Sequence, residues 1–219
     1  MNASRIAPLL LVAAACSKSV GESDVVAYLR AQPPAARERV AAQVDPPPPE
    51  RTDVVRRGDK PLTLVGKTLD VGDAMPAVTL SGEKLAPIDL AALKGKVVVL
   101  SVVPSIDTPV CESQTHHMSD AIAQMPAGVE VFTVSRDLPF AQARFAQEAM
   151  TKTKMASDYH GGTFGRAFGL EIKEVGLLAR SMWVVGKDGK IAYREIVGDQ
   201  GTEPSYEPML EAVKRAAGG

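Results

Sequence analysis

Cys111 is the residue of this chain best placed to act as a nucleophile. It follows an apolar run over residues 97–103, which predicts a buried strand, and a turn that begins at Pro104. The residues after it predict a helix, so the cysteine lies in the first helical turn. Unpaired backbone N–H groups and the positive end of the helix dipole favour a thiolate there. The order strand, loop, helix predicts a reactive thiol, and the alternative is a buried structural cysteine.

The residues around Cys111 also match a known pattern. The spacing Pro104-x-x-x-Thr108-x-x-Cys111 resembles the active-site loop of the peroxiredoxins, and the run Pro-Ser-Ile-Asp-Thr-Pro-Val-Cys resembles that of their thiol peroxidase branch. Further segments resemble the same branch in the same order: 65–76, 135–145, 176–180 and 203–207. The resemblance spans residues 52–219. It implies a thiol-dependent peroxidase that reduces hydrogen peroxide and organic hydroperoxides and takes part in antioxidant defence.

Two residues near Cys111 have expected roles beside the sulfur. The Thr108 hydroxyl can both donate to and accept from a thiolate and a peroxide, which a valine could not do. Its alternative role is a helix N-cap. Pro104 is expected to fix the loop and to shield the thiolate from water, and its alternative is an ordinary strand-end proline.

The resemblance implies that Arg180 is the arginine that contacts the cysteine and the peroxide. An always-charged guanidinium with fixed donors suits this role better than a lysine. The alternative for Arg180 is a solvated charge at a strand end. Arg144 is a weaker rival, and a salt bridge on a helix surface is its expected role.

The chain departs from the thiol peroxidase pattern in the second predicted helix. That pattern usually places a resolving cysteine directly after Arg-Phe, where this chain has Ala146. The chain has 2 cysteines, and the other one, Cys16, is far away in sequence. We therefore expect a one-cysteine mechanism, in which an external thiol reduces the Cys111 sulfenic acid. A thioredoxin-like protein or a low-molecular-weight thiol would serve as that reductant.

Residues 1–16 resemble a signal peptide. Arg5 precedes about ten apolar residues, a run too short for a stable membrane helix. Two alanines directly before Cys16 resemble a bacterial lipoprotein cleavage site, although Ala13 stands where leucine is usual. We expect a lipidated Cys16, a proline-rich tether over residues 17–51, and a location on the periplasmic side of the bacterial envelope. Ordinary export to the periplasm is the second interpretation, and a cytosolic chain is the third.

Apolar segments and turn signals predict one α/β domain over residues 52–219. A small hairpin is expected around Gly58-Asp59, and a second one around Lys187-Asp188-Gly189. Further strands are predicted over 97–103 and 129–134, and helices over 111–125, 139–149, 163–168 and 206–216. This order is that of a thioredoxin-like (peroxiredoxin) fold, with a mixed central β-sheet flanked by helices and an N-terminal β-hairpin.

Composition and sequence pattern also restrict the classes of partner that the chain is expected to bind. The chain has 219 residues, a formal net charge of −1 and 5% aromatic residues. With no cluster of Lys and Arg and few aromatic rings, we expect no nucleic-acid partner. The adjacent His116 and His117 do not share a helix face, so no metal site is expected, and no cofactor motif is present. A membrane contact is expected only through the lipid anchor, and the resemblance implies a homodimer.

Two other functions compete with the peroxidase. One is a peroxide-sensing or redox-inactive lipoprotein that acts as an interaction module on the same scaffold. The absence of a resolving cysteine is consistent with this function. Thr108 and Arg180 favour the enzyme, since a decayed site has little physical need for them. A thiol–disulfide oxidoreductase requires Cys-x-x-Cys, and Gln114 and Thr108 occupy the two positions where the second cysteine would stand.

Overall fold

The computed structural model describes residues 47–218 and two helical positions, Ala27 and Ala31. The chain divides into two compact units, residues 1–47 and 48–219. The expected signal peptide, Cys16 and nearly all of the expected tether lie outside the described residues. No helix within the described part is long and apolar enough to cross a membrane.

The second unit contains short strands alternating with helices. The strands are β1 (Glu50–Arg57), β2 (Lys60–Val65), β3 (Thr79–Ser81), β4 (Pro87–Asp89), β5 (Val98–Val102), β6 (Glu130–Ser135), β7 (Lys154–Ser157), β8 (Glu171–Ile172), β9 (Leu177–Leu178), β10 (Ser181–Val185) and β11 (Ile191–Ile196). The helices are α1 (Pro109–Ala121), α2 (Pro139–Glu148), α3 (Thr163–Ala167) and α4 (Tyr206–Gly218). Both α1 and α2 begin with a proline, whose fixed φ and missing N–H suit a first helical turn.

The central sheet is mixed and has the strand order β11-β10-β5-β6-β7-β3-β4. β5 is buried along its whole length, as expected for an apolar strand covered on both faces. It pairs with β6 in parallel, and β6 pairs with β7 in parallel. The carboxyl ends of these three strands therefore meet at one edge of the sheet, where the loops after them can act together.

Helices cover both faces of this sheet. Val99 and Val184 face a cluster that includes Met118 of α1 and Met209 of α4. On the opposite face, the core includes Val98, Leu100 and Val102 with Phe164 and Phe168, two rings that stack at a centroid distance of 4.2 Å. The central sheet is thus packed between two apolar clusters, and this packing fixes the positions of its strand ends.

A second, smaller sheet has the order β1-β2-β8-β9. β1 and β2 form the predicted N-terminal hairpin, with the turn at Gly58-Asp59. Leu64 of β2 and Ile172 of β8 are buried in the core beneath the central sheet. The hairpin is therefore part of the folded domain, and β1 begins at Glu50, two residues before the expected domain start.

The structure confirms the thioredoxin-like arrangement and both hairpins but differs from the predicted elements in two ways. α1 begins at Pro109, two residues earlier than predicted, and ends at Ala121 with a 3₁₀ turn after it. The strand β7, which lies inside the central sheet, and the two-residue strands β8 and β9 were not predicted from the sequence. β7 contains no β-branched or aromatic residue, so its composition does not indicate a strand.

Candidate active site

The loop between β5 and α1 lies at the edge where the parallel strands end. Val103 continues the β5 pairing, because its N–H donates to the Val134 carbonyl over 2.9 Å. Pro104 is half-buried at the beginning of the loop. Cys111 follows as the third residue of α1, and its exposed fraction is 0%. The predicted nucleophile is thus fully enclosed in the first turn of the helix.

Thr108 occupies the position of the α1 N-cap, but its side chain makes no capping hydrogen bond. Its Oγ1 lies 2.8 Å from Cys111 Sγ and 3.5 Å from the Ser105 carbonyl oxygen. A hydroxyl has one hydrogen to donate, and the shorter distance assigns it to the sulfur. Of the two roles considered for Thr108, the structure matches the contact with the sulfur and not the N-cap.

Arg180 comes from a distant part of the chain, directly before β10, and is 2% exposed. Its Nη2 lies 3.3 Å from Cys111 Sγ. The same guanidinium donates from Nη1 to Gln114 Oε1 over 2.6 Å, and from Nε and Nη2 to the Gln200 carbonyl oxygen. Arg180 is therefore not a solvated strand-end charge. Arg144 is exposed on α2 with its Nε 4.0 Å from Glu148 Oε1, the surface pair expected for it.

Two donors thus converge on one enclosed sulfur. A neutral hydroxyl and a charged guanidinium are both directed at Sγ, and a hydrogen bond that involves a charged group is about twice as strong as a neutral one. The same donors would contact the oxygens of a molecule that approached the sulfur. The arrangement can therefore present a nucleophilic thiolate beside groups that stabilise negative charge on oxygen.

The two glutamines that contact Arg180 were not among the candidate site residues predicted from the sequence. Gln114 lies on α1 three residues after Cys111, so helical spacing places both on one face, a signal that could have identified it. Gln200 Oε1 accepts from the Arg180 backbone N–H over 2.5 Å, and its Nε2 donates to the Val197 carbonyl. Nothing local in the sequence indicates that Gln200 meets Arg180.

Asp137 is a third residue whose role was not predicted, although it lies in a segment that resembles the family. Its carboxylate accepts from Ser105 Oγ over 2.8 Å, from the Ile106 N–H over 2.8 Å and from Ser135 Oγ over 2.6 Å. These bonds connect the loop after β6 to the loop that contains Thr108. Asp137 therefore holds the loop that precedes Cys111.

Ala146 occupies the position where a resolving cysteine was expected from the pattern. It lies on α2 and lines a cleft of about 710 Å³, which Gly82 and Glu83 also line. Cys111 is unpaired, and it is the only cysteine among residues 47–218. The described part of the chain therefore contains no second thiol that could reach the sulfur.

A polar cluster lies beside α1, one turn beyond Gln114. His117 Nδ1 is 2.7 Å from Glu203 Oε2, and the Tyr206 hydroxyl also donates to that carboxylate. Burial acts to raise the pKa of Glu203, but the bonds from Tyr206 and His117 and the charge of Arg180 lower it overall. Within residues 47–218, no group of three or more His, Cys, Asp or Glu side chains is arranged to hold a metal ion.

Comparison with known proteins agrees with this geometry. The Redoxin family profile matches residues 70–210. The thiol peroxidase of Bacillus subtilis (strain 168) is 44% identical over 155 residues, which cover 70% of this chain and 92% of that protein. A thiol peroxidase of Listeria monocytogenes serotype 4b (strain F2365) is 42% identical over 157 residues, covering 71% and 94%.

Solved structures agree as well. A peroxiredoxin-like protein from Aquifex aeolicus superposes with a TM-score of 0.70 at 36% identity, covering 75% of this chain and 97% of that one. The thiol peroxidase from Chromobacterium violaceum has a TM-score of 0.68 at 15% identity, covering 74% and 96%, and supports the fold alone. With its fold, its sequence and its enclosed cysteine in agreement, the chain belongs to the thiol peroxidase family of peroxiredoxins and is a thiol-dependent peroxidase.

Proposed function

We propose that Cys111 is the nucleophile that reduces hydrogen peroxide and organic hydroperoxides. Its thiolate attacks one oxygen of the peroxide, an S–O bond forms, and the O–O bond breaks. The second oxygen leaves as alkoxide or hydroxide and takes up a proton, while the cysteine becomes a sulfenic acid. The observation that best supports this is the pair of donors on Sγ, from Thr108 at 2.8 Å and Arg180 at 3.3 Å.

In this proposal each surrounding residue has one task. Thr108 donates to the sulfur and, once a peroxide is bound, to the peroxide oxygen. Arg180 stabilises negative charge on the sulfur and on the departing oxygen. Pro104, half-buried at the loop start, limits the access of water to the thiolate.

We further propose that an external thiol completes the cycle. That thiol attacks the sulfur of the sulfenic acid, water leaves, and a mixed disulfide forms. A second thiol then releases reduced Cys111 and carries away the disulfide, so that two thiols reduce one peroxide. Ala146 in place of a resolving cysteine supports this one-cysteine mechanism, and a thioredoxin-like protein or a small thiol is the reductant.

The peroxidase is also proposed to act as a homodimer on the periplasmic side of the bacterial envelope, anchored through a lipid on Cys16. The support for the anchor is the N-terminal sequence pattern alone. Fractionation of cells that express the full chain or its Cys16→Ser variant tests it. The full chain should sediment with membranes, and the variant should not. Sedimentation of both variants with membranes, or of neither, would contradict the anchor.

Stopped-flow kinetics with intact-mass detection test the proposed chemistry. The reduced full chain is mixed with cumene hydroperoxide or hydrogen peroxide. We expect rapid addition of one oxygen, about 16 Da, which Cys111→Ser abolishes and Cys16→Ser leaves intact. Addition of a small thiol or of a thioredoxin should restore the original mass. Oxidation no faster than that of a free thiol would contradict the peroxidase role of Cys111, and oxidation that no thiol reverses would favour a sensing role.

A further inference from the structure

The segment after β11 turns back against Arg180. β11 ends at Ile196, and its pairing with the β10 side continues for one more residue, because the Val197 N–H donates to the Arg180 carbonyl over 3.0 Å. Beyond that point the side-chain amide of Gln200 acts as the strand partner. Its Oε1 accepts from the Arg180 backbone N–H over 2.5 Å, and its Nε2 donates to the Val197 carbonyl over 2.5 Å. Gln200 therefore joins the two segments where the strand pairing ends.

The main chain of Gln200 also contacts the charged end of Arg180. Its carbonyl oxygen accepts from Arg180 Nε and from Nη2, in both cases over 3.3 Å. The same Nη2 lies 3.3 Å from Cys111 Sγ. Gln200 is 7% exposed, and both polar ends of its amide are bonded, so it has little freedom to move. One residue thus holds the backbone of Arg180 and the guanidinium that reaches the sulfur.

Gln200 is in turn held by the first strand of the domain. Arg56 on β1 donates its N–H to the Gly198 carbonyl over 2.8 Å, and its own carbonyl accepts from the Gln200 N–H over 2.8 Å. These bonds form a parallel bridge between Arg56 and Asp199. The residue opposite Arg56 in the hairpin is Pro61, which has no N–H to donate. At Arg56, β1 therefore bonds to the segment that contains Gln200 along the edge away from β2.

We propose that β1 takes part in setting the position of Arg180 for the peroxidase reaction, and that Gln200 is the positioning residue through which it acts. A hydrogen bond weakens steeply as its distance and angle depart from their preferred values, so a small displacement of Arg180 would weaken its contact with Cys111. This inference rests on the proposed role of Cys111. It gives the N-terminal hairpin a part in the reaction, although the hairpin supplies no side chain to the sulfur.

The charged groups near Arg180 do not hold it in place of Gln200. Among residues 47–218, no carboxylate oxygen lies within 4.0 Å of the guanidinium. Glu203, before α4, is influenced by the Arg180 charge but is bonded to His117 and Tyr206. A displacement of Arg180 should therefore weaken the stabilisation of a Cys111 thiolate, and no ion pair would restore its position.

The test uses the full chain with Cys16→Ser, so that Cys111 is its single thiol. Gln200→Met keeps an unbranched side chain but removes the acceptor of the Arg180 N–H. Its oxidation by cumene hydroperoxide at neutral pH should slow by about tenfold, since a displacement of about 1 Å can slow a reaction by about a hundredfold. The pH midpoint of Cys111 alkylation by iodoacetamide should rise by about half a unit or more, because the thiolate is less well stabilised.

A double-mutant cycle with Arg180→Met separates positioning from a general loss of stability. Gln200→Met should slow the parent chain but change little in Arg180→Met, where no guanidinium remains to be positioned. Thr153→Val is the matched control, because Thr153 is 5% exposed and its hydroxyl is bonded to the Thr133 and Thr151 hydroxyls. It should lower stability but leave the alkylation midpoint unchanged.

Arg56→Pro tests the contribution of β1 and covers the case in which Gln200→Met does not fold. It removes the N–H that donates to Gly198 and leaves Gln200 and Arg180 in the chain. Oxidation should slow several-fold in the parent chain and change little in Arg180→Met. Equal slowing in both backgrounds, or a parent-like rate and midpoint in either folded variant, would overturn the inference. Slow oxidation of the parent protein itself would instead contradict the proposed function, and the two failures are therefore distinguishable.

Discussion

At the scale of single residues, Cys111 combines enclosure with two directed donors. A thiolate without exposed surface would lose its hydration, which costs several kcal/mol unless the protein supplies hydrogen bonds. Thr108 supplies one from the loop before α1, and Arg180 supplies the other from the position directly before β10, 69 residues away. The proposed reactivity of the sulfur therefore depends on a few distances that point substitutions can change.

Thr108→Val replaces the hydroxyl by a methyl group of nearly the same size. Without the 2.8 Å donor to Sγ, we expect peroxide reduction to slow at least tenfold, which is about 1.4 kcal/mol of barrier. Stopped-flow oxidation measures the rate. Thr115→Val is the control, because that hydroxyl donates to the backbone oxygen of Cys111 and not to its sulfur. Similar rates in both variants would remove Thr108 from the proposed mechanism.

Arg180→Met removes the guanidinium but keeps an unbranched side chain. Because the sulfur then loses its positively charged neighbour, peroxide oxidation at neutral pH should slow by far more than tenfold, over 1.4 kcal/mol of barrier. Arg144→Met, on the exposed face of α2, should retain the parent rate. Competition of each variant with a reporter thiol for limiting peroxide gives the comparison. A parent-like rate in Arg180→Met would exclude a role for that charge.

At the scale of elements, the carboxyl ends of β5, β6 and β7 position the loop between β5 and α1. Asp137 follows β6, and its carboxylate binds Ser105 and Ile106 of the loop after β5. The Ser157 hydroxyl at the end of β7 also donates to the Asp137 carbonyl. The loop that precedes α1 is thus held by residues at the ends of two neighbouring strands, and not by its own sequence alone.

Asp137→Asn tests this connection. The amide has about the same shape but loses a charged acceptor that receives three hydrogen bonds, so the unfolding free energy should fall by about 2 kcal/mol. Peroxide oxidation should slow as well, because the loop no longer holds Thr108 firmly. Urea unfolding and stopped-flow oxidation measure the two effects. Asp107→Asn, an exposed change in the same loop, should alter neither, and matching losses in both variants would argue against the connection.

Local sequence signals predicted some of these elements and missed others for physical reasons. The apolar run of β5, the prolines of α1 and α2 and the spacing from Thr108 to Cys111 are all local. β7 was missed because its four residues carry no strand signal, although two neighbouring strands enclose it. The bonds from Arg180 to Gln114 and Gln200 join residues 66 and 20 positions apart, which periodicity cannot indicate.

At the scale of the whole molecule, the small sheet meets α3 through a close approach of two backbones. Gly66 follows β2 with a φ of 113°, and Gly169 follows α3 with a φ of 64°. A Cβ on Gly66 would lie against the Arg166 carbonyl oxygen and 2.8 Å from Gly169 Cα. The sequence predicted the β1–β2 hairpin, but it did not indicate that glycines allow the hairpin to approach the rest of the domain so closely.

Gly66→Ala should therefore destabilise the protein by about 2–3 kcal/mol, because the added methyl group meets backbone that cannot move away easily. Gly58→Ala is the control within the same hairpin. Its φ is also positive, at 58°, but nothing lies within 4 Å of the added atom, so a cost of about 1 kcal/mol is expected. Urea denaturation of both variants measures whether Gly66→Ala loses more unfolding free energy than Gly58→Ala, as the close backbone approach predicts.

The neutral acceptors around Arg180 also make the stability of the core dependent on the chemical state of one sulfur. A serine at position 111, or a sulfenic acid that keeps its proton, leaves the buried guanidinium without an anionic partner. Breaking a buried ion pair in this way costs about 3–5 kcal/mol. In the proposed cycle, oxidation of Cys111 would remove the anion beside Arg180, and an inactive Cys111→Ser variant is expected to melt below the reduced protein.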